Sequence, residues 1–434
     1  MKEDYEVRRA TRQDQESIGR GWRKAYSDYD FPFQYLFPER YEWLVYQNPF
    51  LEKPDQDMPI WIAKKGDEVA AWTLAMALPM ELNGQTYWGA WGNLAFTLPE
   101  HRRQGLAMAL QRNYLRNYEI FIGLGMSKGN RKLQYVFGGK TGKPVLAYLK
   151  LIKRFHARTL YASFLSHIKK RRRLRWTSFF AFVGGLGLRA LFGFVLGLLY
   201  KAGQKKKSLE EDGTLSIQEV EAFGDETDLL WQQARGNYTF AVSRDSRYLN
   251  WKYVQQPHLD YKRYLFKNEA GEVEGLLVYR MTNPPELPQG IITEIILRRE
   301  DAGLERQILE FAEKQLRVAG ADMILCGAST EVHCQALEEQ GFRMMFVNVP
   351  VFTFPPEVWE KIDYERAHAG EWLLSLGDSD QDMVHLSNQP YFSALVRILL
   401  GKVPGSDALE IDPEAVIEEY KKKAAEREKA KREA

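Results

Sequence analysis

The sequence predicts an α/β (α+β) protein in which one unit, a mixed and largely antiparallel sheet flanked by helices, occurs twice in tandem. Its 434 residues are too many for one ordinary domain. Strand and helix patterns follow the same order in the two halves. Trp43 precedes Pro49 by six residues and Trp251 precedes Pro257 by six, each pair after the first helix and before the first hairpin of its half. Internal similarity at matched positions favours a duplication.

The first half is predicted as strand, helix, three meandering strands, helix, strand, helix, strand. Two hairpin turns define the meander, since Lys65-Gly66-Asp67 and Asn83-Gly84 are turn sequences between apolar runs. Apolar residues at helical spacing identify the helices. The predicted strands are residues 5–8, 59–64, 69–78, 80–82, 86–91, 93–98, 120–124 and 145–152, and the predicted helices pass through Ile18 and Trp22, 103–118 and 130–137. The last of these strands is expected to complete the first copy.

The second half repeats this order more faintly. A strand at 216–221 and a helix at 226–235 precede a hairpin, after which strands and helices alternate. The aromatic residues of 244–253 are expected to pack in the core, because aromatic side chains bury large areas. The remaining predicted ranges are a hairpin of 261–266 and 275–280, a strand at 290–297, a helix at 304–318, a strand at 323–326, a helix through Leu337 and final strands within 342–354.

The composition excludes several classes of protein. Sixty basic against 58 acidic side chains leave a net charge of +2, which argues against a nucleic-acid-binding protein, since such proteins carry a clear basic excess. A hydrophobic fraction of 45% excludes wholesale disorder. Two cysteines cannot form a disulfide framework for this length, and the first fifteen residues contain no apolar signal segment, so we expect a cytoplasmic protein.

The stretch LAFTLPEHRRQGLAMAL (94–110) carries the clearest functional signal. A strand ends at Leu98, Pro99 stops it, and a helix opens around Gly105. A glycine and a small residue two positions apart let the backbone approach a ligand closely, and the first N–H groups of a helix have no partners within it. With the positive end of the helix dipole behind them, these donors form an anion cradle that suits a pyrophosphate.

The spacing Pro-x-x-Arg-x-x-Gly-x-Ala between strand and helix resembles the acetyl-CoA signature of the GNAT superfamily of acyl-CoA-dependent N-acyltransferases. The element order over about residues 4–155 matches that fold too. The resemblance implies that the cradle holds the CoA pyrophosphate, that the preceding strand end pairs with the pantetheine arm, and that a backbone N–H there polarises the acyl carbonyl. The implied CoA-binding residues are Phe96, Thr97, Leu98, Arg102, Arg103, Gln104, Gly105, Leu106 and Ala107.

The acid and the base that this family uses are not evident in the sequence. The resemblance implies a tyrosine four residues before a glycine as proton donor to the thiolate, but that position holds Gln134, with Tyr135 beside it. The usual carboxylate position on the fourth strand holds Asn93, which cannot act as a base. His101 lies in the cradle loop, and imidazole titrates near neutral pH. Tyr135, Asn93 and His101 are the catalytic candidates, with water as an alternative proton donor, and no metal is expected.

The second half lacks the cradle. Its equivalent stretch begins at EIILRREDAGL (294–304), and Glu300, Asp301 and Glu305 place negative charge where a pyrophosphate would bind. We therefore expect a second copy that has lost CoA binding. The arrangement resembles tandem GNAT proteins, including the mycothiol-synthase and Fem-type groups. The predicted domains are 1–155, a basic and apolar linker at 156–212, a GNAT-like domain at 213–400 and a charged helix at 401–434.

Two other groups of residues resemble metal sites but lack their requirements. Cys326, His333 and Cys334 have no evident fourth ligand, so we expect a core or surface role. The acidic run DSDQD (378–382) lacks the glycine and the terminal glutamate of an EF-hand loop. We expect it to form a polar turn.

The apolar stretch 179–200 leaves three placements open. Its 22 residues are long enough to cross a bilayer, but Arg189 lies within it, and basic clusters at both ends remove the asymmetry that orients a span. The stretch could instead lie on the cytoplasmic leaflet, where the basic residues between 169 and 207 would contact anionic head groups. The third placement is burial between the two halves.

The sequence predicts an N-acyltransferase that uses acetyl-CoA or another acyl-CoA as co-substrate. The expected acceptor is a primary amine of a small molecule, such as an amino sugar of a surface-polysaccharide precursor, and transfer is direct, with no metal. Two alternatives stay open: a Fem-like aminoacyltransferase, and a non-catalytic acyl-CoA-binding scaffold at the membrane. A peripheral position on the inner membrane face is open beside a cytoplasmic one, and the oligomeric state is not predicted.

Overall fold

The computed structural model describes residues 4–25, 37–152, 215–282 and 288–383, together with 418 and 422. The apolar stretch, its basic flanks and nearly all of the charged C-terminal segment lie outside these residues, so what the sequence predicts for them stays a prediction. Among the helices that the structure describes, none is long and apolar enough to cross a membrane.

The first half contains a meander of four antiparallel strands and then a strand, β5, that runs parallel to the last of them. Helices α1 and α3 pack against the sheet. The elements of this half are β1 (Glu6–Arg9), α1 (Gln15–Ala25), α2 (Glu39–Val45), β2 (Ile60–Lys65), β3 (Glu68–Leu82), β4 (Gln85–Thr97), α3 (Leu106–Leu115), β5 (Ile120–Gly123), α4 (Lys128–Val136), β6 (Lys140–Thr141) and β7 (Val145–Leu151).

The second half builds the same pattern. Its antiparallel meander also leads to a strand, β13, that runs parallel to the fourth member, β12. The elements of this half are β8 (Ser216–Glu219), α5 (Asp225–Ala234), β9 (Phe240–Val242), α6 (Ser246–Tyr253), β10 (Tyr261–Lys267), β11 (Val273–Met281), β12 (Gln289–Leu297), α7 (Ala302–Val318), β13 (Met323–Ala328), α8 (Glu331–Glu339), β14 (Arg343–Asn348), β15 (Val351–Thr353), α9 (Pro356–Trp359), α10 (Tyr364–Ala369) and β16 (Trp372–Leu373).

The prediction of one α/β unit used twice is confirmed, with differences in detail. Strands expected in two pieces are continuous, because β3 runs through Pro79 and β4 runs from Gln85 to Thr97. Helices α2 and α6 were not predicted, and they carry the two tryptophans of the internal repeat, Trp43 and Trp251.

The two halves exchange strands, and the first sheet also includes β9 and β16 of the second half, because β9 pairs with β3 and β16 pairs with β9. β7 lies in the second sheet, between β13 and β14, and β15 lies in the first sheet, between β5 and β6. The prediction that residues 145–152 complete the first copy was therefore wrong about the sheet, although the strand itself is present. Since β5 and β13 are equivalent elements, each offers the same free edge, and a strand from either half can pair there. Neither sheet is complete without the other half, and the predicted domain limits stay a proposal.

The two repeat tryptophans meet where the halves join. Their ring centroids are 4.7 Å apart and the rings are nearly parallel. Trp43 Nε1 donates to the carbonyl oxygen of Trp251 at 2.9 Å, and Trp251 Nε1 donates to that of Trp43 at 3.2 Å. Both side chains are fully buried, in an apolar cluster that draws residues from both halves. Each indole thus donates a hydrogen bond to the backbone of the other tryptophan, as expected of two equivalent copies that face each other.

Candidate functional site

A cleft opens in the first half where β4 and β5 part. The two strands pair only at Gly89, Ala90 and Trp91 of β4, so from residue 92 onward the β5-facing edge of β4 has no partner among the described strands. The space between them has a volume of about 460 Å³. It is lined by the end of β4, by α3, by the segment from β5 to α4, and by a loop of the second half.

A bulge in β4 widens this cleft. Leu74 of β3 pairs with Asn93 and Trp72 pairs with Phe96, so two residues of β4, Leu94 and Ala95, stand opposite one residue of β3. Leu94 has a φ of +44°. An extra residue of this kind bends its strand and increases the local twist. The bulge therefore turns the end of β4 away from β5 and leaves backbone polar groups facing the cleft.

The predicted anion cradle adjoins the cleft. After a short 3-10 turn, Arg103 and Gly105 adopt positive φ values of +63° and +80°, and α3 begins at Leu106. Within the part of the chain that the structure describes, no side chain caps α3, and its first turn contains no acidic residue. The first N–H groups of the helix therefore donate to no carboxylate or hydroxyl of the described residues, and they lie at the positive end of the helix dipole. Ala107, in the same turn, lines the cleft.

The other predicted CoA-binding residues lie around this helix start. Phe96 and Thr97 line the cleft, and Leu98 is buried beneath the loop. Arg102 Nε donates to the carbonyl oxygen of Thr97 at 3.2 Å, and its guanidinium lies 5.7 Å from the ring centroid of Phe96. The side chain of Arg102 thus follows the strand end, and Arg103 is exposed beside it.

The equivalent helix start in the second half is occupied by its own carboxylate. Asp301 caps α7 and accepts hydrogen bonds from the N–H groups of Gly303 at 2.8 Å and Leu304 at 3.0 Å. Glu305 is buried in the first turn, and burial together with nearby Glu300 raises its pKa to about 8. The donors that a pyrophosphate would need are taken up by the protein there.

Of the three predicted catalytic residues, Asn93 lies in the cleft. It is 3% exposed, and among the described residues neither its amide oxygen nor its amide nitrogen has a hydrogen-bond partner. Gln111 of α3 also lines the cleft with an unpartnered, buried amide nitrogen. Leaving such groups unpaired is costly, so a bound ligand is the natural partner for both amides.

The other two predicted catalytic residues are held elsewhere. Tyr135 belongs to α4, its side chain is buried, and its hydroxyl lies 3.1 Å from Thr141 Oγ1. His101 Nδ1 lies 2.9 Å from the Tyr5 hydroxyl and its Nε2 lies 3.0 Å from Glu68 Oε2. Neither residue is among those that line the cleft. A catalytic role for them stays a prediction.

The surroundings of His101 gather three possible metal ligands. Glu68, Glu100 and His101 offer atoms within 4.8 Å of one another. The ammonium of Lys24 forms ion pairs with both carboxylates, which partly neutralises the group. The hydrogen bond from His101 opposes the effect of burial and lowers the pKa of Glu68. The ammonium of Lys24 therefore already acts as the cation for the carboxylates of Glu68 and Glu100.

The groups that the sequence set aside as metal sites also have defined places. Cys326 Sγ lies 3.6 Å from His333 Nε2, and His333 Nδ1 lies 3.5 Å from Glu305 Oε1. Burial raises the pKa of Cys326 and lowers that of His333 to about 4. At neutral pH the thiol and the imidazole are thus uncharged, as expected of core groups rather than of a nucleophile and its base.

The acidic run 378–382 is the feature of the cleft that sequence reasoning missed. Two of its residues, Asp380 and Gln381, line the cleft although they belong to the second half. No local pattern could have shown this, because the contact depends on the strand exchange and on how the halves pack.

Solved structures similar to this one share its fold. A conserved protein of unknown function from Enterococcus faecalis V583, a probable N-acyltransferase, is 11% identical, with a TM-score of 0.50 over 81% of this chain and 72% of that one. N-myristoyltransferase of Saccharomyces cerevisiae, solved with myristoyl-CoA and inhibitors, is 10% identical, with a TM-score of 0.51 over 82% of each chain. The chain has the GNAT fold. No family model matches the sequence, and neither does any curated protein.

The matches to the Enterococcus faecalis protein and to the yeast N-myristoyltransferase cover 81% and 82% of this chain, so both halves take part in them. A GCN5-related N-acetyltransferase from Anabaena variabilis ATCC 29413 also resembles the chain, at 10% identity and a TM-score of 0.49, over 80% of this chain and 72% of that one. The tandem architecture that the sequence predicted is confirmed at the level of the fold. The similarity shows the fold, and the function of the cleft is inferred from the residues that line it.

Proposed function

We propose that the protein is an acyl-CoA-dependent N-acyltransferase that moves an acyl group directly from CoA to a primary amine. One observation carries the proposal: the cleft opened by the β4 bulge leads to the uncapped start of α3. A helix start without a capping carboxylate is an anion site, and an unpaired strand edge beside it can hydrogen-bond an extended chain with amide groups. Acyl-CoA combines a pyrophosphate and such a chain.

Some residues of the cleft would bind acyl-CoA, and others would polarise its thioester carbonyl. Backbone N–H groups from Arg103 to Ala107 would hold the pyrophosphate, and the β4 edge at Phe96 to Leu98 would hold the pantetheine arm. Backbone N–H groups at the bulge would stabilise the negative charge that develops on the thioester oxygen. Asn93 would orient the substrates through its amide, which accepts and donates hydrogen bonds but takes up no proton.

The acceptor class is proposed from the shape and polarity of the cleft. Besides backbone, it presents amides from Asn93, Gln111 and Asn130 and apolar side chains such as Phe121 and Leu133. This lining suits a small amine with hydrogen-bonding groups, and an amino sugar is one such molecule. Acetyl-CoA is the proposed donor, and titration with acetyl-CoA and myristoyl-CoA in parallel measures the preference for chain length.

The test is calorimetric titration of acetyl-CoA into the wild type, Gly105→Glu and Gly271→Glu. Both glycines have a φ of +80° and open space where a Cβ would lie, so the two substitutions impose the same backbone strain. Only Gly105 precedes α3. We expect a loss of affinity of about 5-fold to 10³-fold in G105E alone, since like charges a few ångströms apart repel by about 1 to 4 kcal/mol.

Three outcomes oppose the proposal in different ways. A wild-type protein that does not bind acyl-CoA refutes the function. Equal binding by wild type and G105E refutes the site. Binding without acyl transfer to any amine leaves the non-catalytic scaffold as the better description.

A further inference from the structure

A loop of the second half forms part of the wall of the first half's cleft. Gln381 Oε1 accepts a hydrogen bond from Asn348 Nδ2 at 3.0 Å, and Asn348 Oδ1 accepts one from the N–H of Gly125 at 3.1 Å. Gly125 follows β5, with a φ of +68°, and a Cβ there would meet Gln381 at 2.9 Å. The loop is therefore fitted closely to the segment where β5 ends.

Buried charges fix this loop on both sides of Asp380. Asp378 Oδ2 lies 2.8 Å from Arg244 Nη2, and Asp382 Oδ1 lies 3.2 Å from Lys252 Nζ, with all four side chains fully buried. Lys252 Nζ also donates to the carbonyl oxygen of Ser379 at 3.0 Å. Such pairs cost much desolvation, but breaking one leaves a charge unpaired, so they specify the position of the loop.

Asp380 differs from its two acidic neighbours. It is only half-buried, it lines the cleft, and within the described residues no cationic side chain forms an ion pair with it. Its carboxylate accepts long hydrogen bonds, both of 3.4 Å, from Ser379 Oγ and Gln381 Nε2. The carboxylate is thus held in place by the backbone around it and keeps free capacity to accept a proton.

The lining of the cleft singles out this carboxylate. Among the described residues that line the cleft, Asp380 is the one ionisable side chain, and the others are apolar, hydroxyl, amide or glycine residues. Attack by an amine on a thioester needs a group that takes the amine proton. Asn93 cannot do this, and His101 and Tyr135 lie outside the cleft lining.

We propose that Asp380, supplied by the second half, is the general base of the transfer in the first half. The assignment rests on the proposed N-acyltransferase function. The carboxylate takes one proton from the amine nitrogen, the N–C bond forms at the acyl carbon, and the C–S bond breaks. The thiolate takes up one proton and leaves as CoA thiol, so protons balance and nothing is oxidised or reduced.

Several charged groups among the described residues lie around Asp380. From the second half they are Lys252, Asp382 and the Arg244–Asp378 pair, all buried in the ion pairs described above. From the first half, the described residues that line the cleft contribute no charge, but the buried guanidinium of Arg40 in α2 acts electrostatically on Lys252. The pH dependence of the rate in wild type and in the Asp380→Asn variant is the readout that separates Asp380 from these groups.

The experiment measures thiol release from acetyl-CoA by wild type, Asp380→Asn and Asp380→Glu. The acceptors are four primary amines: glucosamine, ethanolamine, lysine and a peptide with a free glycine amine. Asp260→Asn is the control, since Asp260 is an exposed aspartate of the same half. We expect D380N to lower kcat by 10²-fold to 10⁴-fold, a typical contribution of a general base. Its acetyl-CoA Kd and melting temperature should stay at the wild-type values.

Two further readouts separate a base from a structural role. The wild-type rate should fall in acid, and this acidic limb should be absent in D380N. D380E, which keeps a carboxylate, should recover part of the rate, and D260N should behave as wild type. If D380N retains wild-type kcat and pH profile while wild type transfers acyl groups, the assignment to Asp380 is wrong and the proposed function stands. If wild type binds no acetyl-CoA, or binds it and acylates none of the amines, both fail together.

Discussion

The strand exchange makes a strong prediction about unfolding. Because each sheet contains a strand of the other half, the two halves should unfold in one transition, and a change at their junction should destabilise the whole chain. The paired tryptophans are the place to perturb. Trp43→Leu and Trp251→Leu each remove one side of the stack and one indole hydrogen bond, and they leave the backbone carbonyls in place.

The magnitude follows from the contacts. Replacing a fully buried tryptophan by a smaller residue costs about 3 kcal/mol, since truncation to alanine costs about 3 to 5 and leucine keeps part of the volume. Each single variant loses a different hydrogen bond, but both lose the same stack. The double variant should therefore be less destabilised than the sum of the singles by the stacking energy, about 0.5 to 1.5 kcal/mol.

The assay is urea unfolding followed by far-ultraviolet circular dichroism and by tryptophan fluorescence. Trp61 provides the control cycle, because it is buried in a different apolar cluster of the first half. W43L combined with Trp61→Leu should be additive within about 0.5 kcal/mol. The reasoning is refuted if W43L and W251L are also additive, or if the wild type unfolds in two transitions of which W43L moves only one.

Two remaining predictions concern the second half. Glu305 has a pKa raised from 4.5 to about 8 by burial, so the folded state holds a proton that the unfolded state releases, and stability should fall as pH rises from 4.5 to 8. His333, with its pKa lowered by burial from 6.5 to about 4, opposes this trend only below pH 6.5. Between pH 6.5 and 8 the free energy of unfolding of the wild type should therefore fall by about 2 kcal/mol. That of Glu305→Gln should stay constant over the same range. The control Glu331→Gln, at an exposed position, should follow the wild type. Calorimetry should also find one acetyl-CoA per chain, because Asp301 occupies the second helix start, and a value of two would contradict that role.

Local features of the fold were predictable because their causes are local. Asn83-Gly84 fixes a hairpin through its positive φ values, and the helix start at Gly105 depends on a glycine that reaches a φ of +80°. The negative charge at the second helix start was visible at Asp301 for the same reason. Each of these depends on residues within one turn of the chain.

Other features depend on contacts that no local pattern encodes. The apolar character of residues 145–151 shows that the strand is buried, but it does not show which of two equivalent edges receives it. The β4 bulge changes register by one residue between Asn93 and Phe96, a difference too small to stand out among continuous strand-forming residues. The position of Asp380 in the cleft follows only after the exchange and the buried ion pairs are known.

The second copy has a physical reason to persist without a pyrophosphate site of its own. It completes the first sheet with β15, and it brings Asp380 and Gln381 to the cleft. The charged residues that hold this loop, Arg244 and Lys252, lie in the stretch whose aromatic neighbours pack at the junction. The helix start at Asp301 takes no part in holding this loop. A carboxylate that caps it therefore stabilises α7 without affecting the site in the first half. Under the proposed function, the second half can lack an anion site and still be required by the first, because the strand exchange ties the two sheets together.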